Sequence, residues 1–154
     1  MLYMHDNLLI LYRKQVNKHM LAMKRAVRAG NTQKQQHHSM LAIIFLHLFM
    51  ETFISEAIHS SPKLAELKKE EQELNKIYKS LSFKNKWKKT FDLLHIKPQS
   101  ELDDFLAFDE RFRAPLVHPK GAFINADLYS QDTSLSIQTA LQLVRLVNRI
   151  VLVM

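Results

Sequence analysis

The sequence predicts an all-α protein, a bundle of five or six mostly antiparallel helices. Apolar residues make up 47% of the 154 positions, and the chain holds only 2 glycines and 4 prolines, a balance that suits long helices with few tight turns. Apolar residues recur every three or four positions, and no segment shows the alternation that is typical of a strand. A chain of this length is expected to form one domain, residues 1–154, with its own core.

The first two predicted helices are the longest. One covers residues 7–29, where apolar side chains form a single stripe, and Gly30 and Asn31 end it because both accept the left-handed backbone conformation. The next covers residues 33–59, and its apolar positions occupy most of the circumference. We therefore expect it to be buried on more than one side, as the central helix, and to be broken at Pro62.

Two further helices are predicted in the middle of the chain. A charged helix with a thin apolar seam covers residues 62–80, and a shorter helix covers residues 83–94, with Ser82 as its N-cap. Trp87 lies among lysines, so it is a candidate for stacking on a base. Its helical spacing with Phe91 favours a place in the core instead.

The last two helices begin at capping residues. Ser100 and Asp103 resemble a capping box, and Pro115 is expected to end or kink the helix at Ala114. Asp132 is predicted to cap the final helix. The apolar positions of this helix that are expected to complete the core are Leu135, Leu141, Val144, Val147, Ile150 and Val151.

Composition limits the chemistry and suggests a compartment. The chain has no cysteine, which excludes disulfides, thiolate zinc sites and a cysteine nucleophile, and which fits a cytoplasmic protein. The start lacks a basic leader, and the apolar run of residues 40–49 is interrupted by His47 and then followed by Glu51, so it is expected to fall short of a membrane span. Residues 137–154 contain two arginines, which a spanning helix would rarely carry. We therefore expect a soluble protein without a membrane partner.

Positive charge is concentrated in the N-terminal helix, residues 1–32. Residues 1–38 hold seven basic residues against Asp6, a net charge of +6, whereas the rest of the chain has a net charge of +1. A basic face of this kind attracts phosphate backbones through counterion release, and the alternative is a solvated face without a ligand. The residues predicted to bind RNA are Arg13, Lys18, Lys24, Arg25, Arg28 and Lys120.

Two arginines and a histidine follow one another where a helix is predicted to end. Arg113 precedes His118 by four intervening residues, and Arg111 precedes it by six. Upstream, residues 46–56 form a long apolar segment with an acidic residue followed by an aromatic one, and residues 81–89 contain a Lys-Trp pair. These three segments, in this order, resemble the HEPN superfamily (higher eukaryote and prokaryote nucleotide-binding domains).

The resemblance spans roughly residues 38 to 153 and implies a metal-independent endoribonuclease without a cofactor, as in a toxin or a defence or stress system. In such enzymes the RNA 2′-hydroxyl attacks the neighbouring phosphate and leaves a 2′,3′-cyclic phosphate. Carried onto this chain, His118 transfers protons, Arg113 clamps the phosphate, and Arg111 is a second candidate for the clamp. Glu51 would orient His118 or Arg113.

The family resemblance also implies partners. Two copies of the motif meet across a homodimer to form one cleft, and a protein antitoxin or regulator is a further expected partner. The apolar residues on several sides of the last helix also suggest a dimer.

One departure from the family pattern suggests a different function. Ala114 stands where family members often place a polar residue, and Pro115 is less usual there. The alternative is therefore a catalytically inactive HEPN-like module that binds a protein or nucleotide partner. In that case Arg113 would pair with Asp109 or Glu110 on its own helix. A helical scaffold unrelated to the family is a third hypothesis.

A histidine and a glutamate share one helical face, which raises the question of a metal. His47 and Glu51 are four positions apart, a spacing that suits metal ligands. Neither a third ligand in register nor a cysteine accompanies them, so no metal site is predicted.

Overall fold

The computed structural model describes residues 2–60, 82–97, 100–117 and 126–152, and these ranges contain helices and no strand. The all-α prediction is confirmed. The elements, numbered in chain order, are α1 (Leu2–Arg28), α2 (Thr32–Ser60), α3 (Phe83–Leu93), α4 (Ser100–Phe112), the single turn α5 (Ala114–Val117), a 3-10 turn (Ala126–Ser130) and α6 (Ser134–Leu152). The helix predicted over residues 62–80 lies outside the described residues.

The junction between α1 and α2 is built by two residues. Gly30 has a φ of 66°, and its amide donates to Val27 O at 3.1 Å while the Asn31 amide donates to Ala26 O at 2.9 Å. This pair of bonds is a Schellman ending, which needs a residue in the left-handed region. The Asn31 side chain then accepts from the Lys34 amide at 3.0 Å and so caps α2. The predicted end of the first helix is confirmed.

The α2 helix is the central element. It packs along α1 and also contacts α3, α4, α6 and the 3-10 turn, so each side of it meets a neighbour. This arrangement confirms the predicted central position. The residues that α2 buries in the core are Ala42, Ile43, Leu46, Phe49, Met50, Phe53 and Ile54.

One part of α2 departs from the expectation about membrane spans. Within the described residues, Thr32–Glu56 is the single stretch that is long and apolar enough to cross a membrane, judged by length and composition only. The expectation that no apolar run reaches this length is therefore wrong for this segment, because His47 and Glu51 interrupt the run without ending it. The core helix of a bundle meets the same criterion, and α2 packs as such a helix.

Aromatic rings fill the space between α2 and α3. Trp87 is fully buried, and its ring centroid lies 6.2 Å from that of Phe53 and 6.4 Å from that of Phe91. The prediction that Trp87 belongs to the core is confirmed. In contrast, Leu135 is 74% exposed, so its predicted core position is wrong. It lies two positions before the buried Ile137, and residues two apart on a helix do not share a face.

The caps of α3 and α4 differ in how well the sequence predicted them. The Ser82 side chain accepts from the Asn85 amide at 3.3 Å, which confirms it as the N-cap of α3. Ser100, however, is already the first residue of α4, and its hydroxyl lies 3.4 Å from a Glu101 carboxylate oxygen. The capping box predicted for Ser100 and Asp103 is therefore wrong, because the cap position precedes the helix.

The chain breaks between α4 and α5, as the proline predicts. The α4 helix ends at Phe112, and Pro115 lies in the first turn of α5, where its missing amide hydrogen costs no helical bond. The buried Tyr129 hydroxyl donates to Phe112 O at 2.6 Å, which satisfies a carbonyl at the end of α4. Burial also raises the pKa of Tyr129. This bond fixes the exit of the helix that carries Arg113.

The start of α6 is set by Asp132, as predicted. Its carboxylate accepts from the Ser134 amide at 3.0 Å and from the Ser134 hydroxyl at 2.6 Å. These two hydrogen bonds lower the pKa of Asp132.

Candidate functional site

Arg113 lies at the break between α4 and α5, one turn after a buried carboxylate. Its Nε donates to Asp109 Oδ2 at 3.0 Å, and Asp109 is only 6% exposed. This contact is the pairing within α4 that the binding-module alternative predicts. The motif arginine therefore has a fixed intramolecular partner.

The second oxygen of Asp109 reaches across to α2. His47 Nδ1 lies 3.2 Å from Asp109 Oδ1, and the His47 ring is tilted against the Phe83 ring, with their centroids 4.4 Å apart. An ionised carboxylate only accepts hydrogen bonds, so His47 Nδ1 carries the hydrogen of this bond and donates it to Asp109. We call His47, Asp109 and Arg113 the Asp109 cluster. The sequence suggests His47 only as a metal ligand, since no local pattern relates it to a residue on α4.

Glu51 does not belong to the Asp109 cluster. It lies one turn after His47 on α2, and its Oε1 accepts from Lys86 Nζ of α3 at 2.7 Å. Glu51 therefore has Lys86 and not Arg113 as its partner, and the alternative that it orients His118 stays a prediction. Across the described ranges, no three histidine, aspartate or glutamate side chains converge as metal ligands.

Of the other two motif residues, Arg111 lies within the described residues and His118 does not. His118 and Lys120 lie outside the described residues, so their predicted roles stay predictions. Arg111 is exposed, and its guanidinium carbon lies 5.2 Å from the centre of the Phe112 ring. It borders an open pocket of about 300 Å³ between α4 and the start of α6. Arg111 and Arg113 therefore have different surroundings, since Arg113 contacts Asp109 and Arg111 borders this pocket.

Most of the predicted RNA-binding residues of α1 lie on its outer face. Lys18, Arg25 and Arg28 are exposed, and Lys24 is half-buried. Arg13 is different, because its guanidinium carbon lies 5.8 Å from the centre of the Phe49 ring on α2. Arg13 is therefore half-buried and does not belong to the exposed face, and its predicted contact with RNA stays a prediction. It lies three positions before the fully buried Val16, and this spacing turns it towards the core.

Imidazole rings form a second cluster between α1 and α2. His19 Nδ1 lies 3.0 Å from His38 Nδ1, and the His37 ring meets His38 edge-on at 5.1 Å. One of the two Nδ1 atoms must donate and the other accept, so at least one ring is neutral. Burial first, and then the neighbouring histidines and Lys18, lower the pKa of His19 and of His38. We call His19, His37 and His38 the histidine cluster.

The comparisons with known proteins add no relative to this geometry. No protein-family model matches the chain, no curated protein is significantly similar to it, and no solved structure matches it. The resemblance to the HEPN superfamily therefore depends on the three segments quoted above.

Proposed function

We propose that this chain is a HEPN-like helical module that binds RNA through the outer face of α1. One observation carries the proposal: Lys18, Arg25 and Arg28 are exposed on one helix, and residues 7–28 contain no acidic residue to neutralise them. Lys18 and Arg28 are roughly 15 Å apart along the axis, at a rise of about 1.5 Å per residue. A linear array of cations on this scale fits several successive phosphates of one strand.

Under this proposal Arg113 is a structural residue. Its contact with the buried Asp109 is the arrangement that a binding module without catalysis would have. A guanidinium already held by a carboxylate has part of its charge compensated, so it attracts a phosphate less strongly. Ala114, in the position after it, supplies no polar group to a substrate.

RNA binding is tested by charge removal on α1. We expect the triple variant Lys18→Gln, Arg25→Gln and Arg28→Gln to bind single-stranded RNA more weakly. A variant with fewer phosphate contacts releases fewer counterions on binding. The slope of log K against log salt should therefore become less steep, by roughly one unit per lost contact. Fluorescence anisotropy at several salt concentrations measures both quantities.

A triple variant on α3 provides a control with the same change in charge. Lys84, Lys88 and Lys89 are also exposed, and their replacement by glutamine should leave the salt slope near that of wild type. An unchanged slope in the α1 variant would show that the α1 face is merely solvated. Equal losses in both variants would show that RNA responds to the net charge of the protein and not to the α1 face.

RNA cleavage is the second candidate function, and the position of Arg113 favours it. Asp109 engages Nε, so the guanidinium is held at the exit of α4, five positions before His118. In the proposed reaction His118 takes the proton of the 2′-hydroxyl as its oxygen bonds to phosphorus. The P–O5′ bond breaks, and the 5′-oxygen leaves as a hydroxyl after protonation. The Nη groups of Arg113 would stabilise the charge on the phosphate oxygens.

A ribonuclease assay separates the two functions. For a cleaving enzyme we expect His118→Ala and Arg113→Ala each to lower the rate by roughly a hundredfold to ten-thousandfold. Arg111→Ala is the matched control and should have less effect, since Arg111 borders the pocket between α4 and the start of α6. Cleavage that survives His118→Ala, or that disappears with EDTA, would refute this mechanism. Wild-type protein that binds RNA without cutting it would support the binding module.

A further inference from the structure

Arg13 combines burial with an unsatisfied donor. Its Nε is buried and has no hydrogen-bond partner, and the guanidinium lies over the Phe49 ring at 5.8 Å. Contact with an aromatic face stabilises a cation only modestly, by about 0.5–2 kcal/mol. A buried guanidinium donor without an acceptor is unusual, because its desolvation is then uncompensated.

The packing of three helices brings a second arginine to the same level. At one level, Thr133 at the start of α6 contacts both Met23 of α1 and Ser39 of α2. Arg13 lies ten positions before Met23 on α1, and Phe49 lies ten positions after Ser39 on α2. Arg13 and Phe49 are in contact.

The corresponding position on α6 is Arg145, twelve residues after Thr133. Ten to twelve helical residues span roughly 15–18 Å, so Arg13, Phe49 and Arg145 lie at about one level. The electrostatics agree with this placement, since burial first and then Arg145 lower the pKa of Arg13.

Among the described side chains of α1 and α6, no acid is present to compensate these two cations. Residues 7–28 of α1 and all of α6 (Ser134–Leu152) contain no aspartate or glutamate. Across the described part of the chain, no ion pair engages Arg13 or Arg145. Arg145 is exposed, whereas the Nε of Arg13 is buried, and two like charges at one level of the bundle are unfavourable unless an anion lies between them.

We propose that Arg13 and Arg145 bind a phosphate group at the α1–α6 edge of the bundle. The planar donor forks of two arginines suit the tetrahedral oxygens of phosphate, and the Phe49 ring holds one fork in place. The phosphate is either a free ion or small phosphate ester, or a phosphodiester of a nucleic acid strand. This site is separate from the exposed Lys18–Arg28 face and does not depend on the RNA proposal.

The site is tested by the melting temperature of the full chain in phosphate against chloride at equal ionic strength. We expect phosphate to raise the wild-type melting temperature in proportion to the logarithm of its concentration above the dissociation constant, by roughly 4 °C at ten times that constant. Arg13→Gln and Arg145→Gln should each abolish this rise. Lys88→Gln, an exposed change of the same charge on α3, should keep it.

The chloride measurement distinguishes ligand binding from a structural role. If Arg13 is held for a ligand, Arg13→Met should melt at or above the wild-type temperature in chloride, because it removes a repelled, unsatisfied buried cation. A wild-type protein without a phosphate-specific rise would overturn the proposal. So would Arg13→Gln and Arg145→Gln variants that respond like wild type.

A second arm identifies the source of the phosphate. If the site takes a phosphodiester, Arg13→Gln and Arg145→Gln should weaken RNA binding several-fold, and inorganic phosphate should compete with RNA. If it takes a free phosphate, both variants lose the melting response while RNA affinity stays unchanged. A wild-type protein that responds to phosphate but does not bind RNA would sink the RNA proposal and leave this site standing.

Discussion

At the scale of single residues, Asp109 determines where two other polar side chains sit. It holds Arg113 on its own helix and His47 on α2, so one carboxylate links α4 to the central helix. A charge that is 6% exposed is tolerated only when donors surround it. The fold itself therefore determines the position of Arg113, whether or not a ligand is bound.

Replacing Asp109 tests this dependence. We expect Asp109→Ala to lower the free energy of unfolding by about 3 kcal/mol, because Arg113 loses its buried partner. Asp103→Ala, an exposed change on the same helix, should cost less than about 0.5 kcal/mol. Urea denaturation measures both variants. Equal, small losses would mean that the Asp109 cluster contributes nothing to stability.

The histidine cluster predicts a pH dependence of stability. The folded pKa values of His19 and His38 lie below the ordinary value, so the unfolded chain binds protons first as the pH falls. The free energy of unfolding should therefore be fully retained above about pH 6.5 and decrease below it, by at most about 1.4 kcal/mol per pH unit for each proton. Urea denaturation at several pH values measures the slope.

Variants assign that slope to the cluster. His38→Gln should flatten it, because the ring facing His19 Nδ1 no longer titrates, although Lys18 and His37 remain nearby. His95→Asn is the matched control, since His95 is exposed and its φ of 54° is one that asparagine accepts. A slope that His95→Asn flattens and His38→Gln does not would contradict this assignment.

At the scale of elements, the sequence was sufficient to predict those helix boundaries that depend on residues a few positions away. Three residues act through backbone geometry within a few positions and mark helix boundaries as predicted. Gly30 ends α1, Ser82 begins α3, and Pro115 follows the break between α4 and α5. The partners of Glu51 and Arg13 could not be predicted in this way. Each partner lies more than thirty residues away, and helix packing alone decides which one is met.

The two serines at helix starts provide a test at this scale. Ser82→Ala should lower the free energy of unfolding by about 1 kcal/mol, because the Asn85 amide loses its acceptor. Ser100→Ala should change it by less than about 0.5 kcal/mol, because Ser100 is already helical and alanine favours that state. Thermal or urea denaturation measures both. A larger cost at Ser100 would restore the capping box that the sequence suggested.

At the scale of the whole molecule, the structure removes one of the two reasons to expect a homodimer. The apolar sides of α6 suggested an interface, but Leu141, Leu143 and Val147 are buried within the chain itself. The expectation of a dimer therefore rests on the composite site that the HEPN resemblance implies, with residues 105–120 near the two-fold axis. In the described part of that segment, residues 105–117, Val117 is a large apolar residue that is 49% exposed and so has surface to offer a partner.

We expect light scattering at micromolar concentration to give twice the 18.1 kDa mass of the chain, since a symmetric interface of useful size persists there. Val117→Glu should shift the protein towards the monomer, because a two-fold axis places the introduced charges of both copies near each other in a desolvated contact. Leu21→Glu is the matched control, because Leu21 is 51% exposed but lies on α1, away from that axis, and it should leave the mass unchanged. A wild-type monomer would exclude a cleft shared between two copies. Any cleavage would then have to use one His118 and one Arg113 from the same chain.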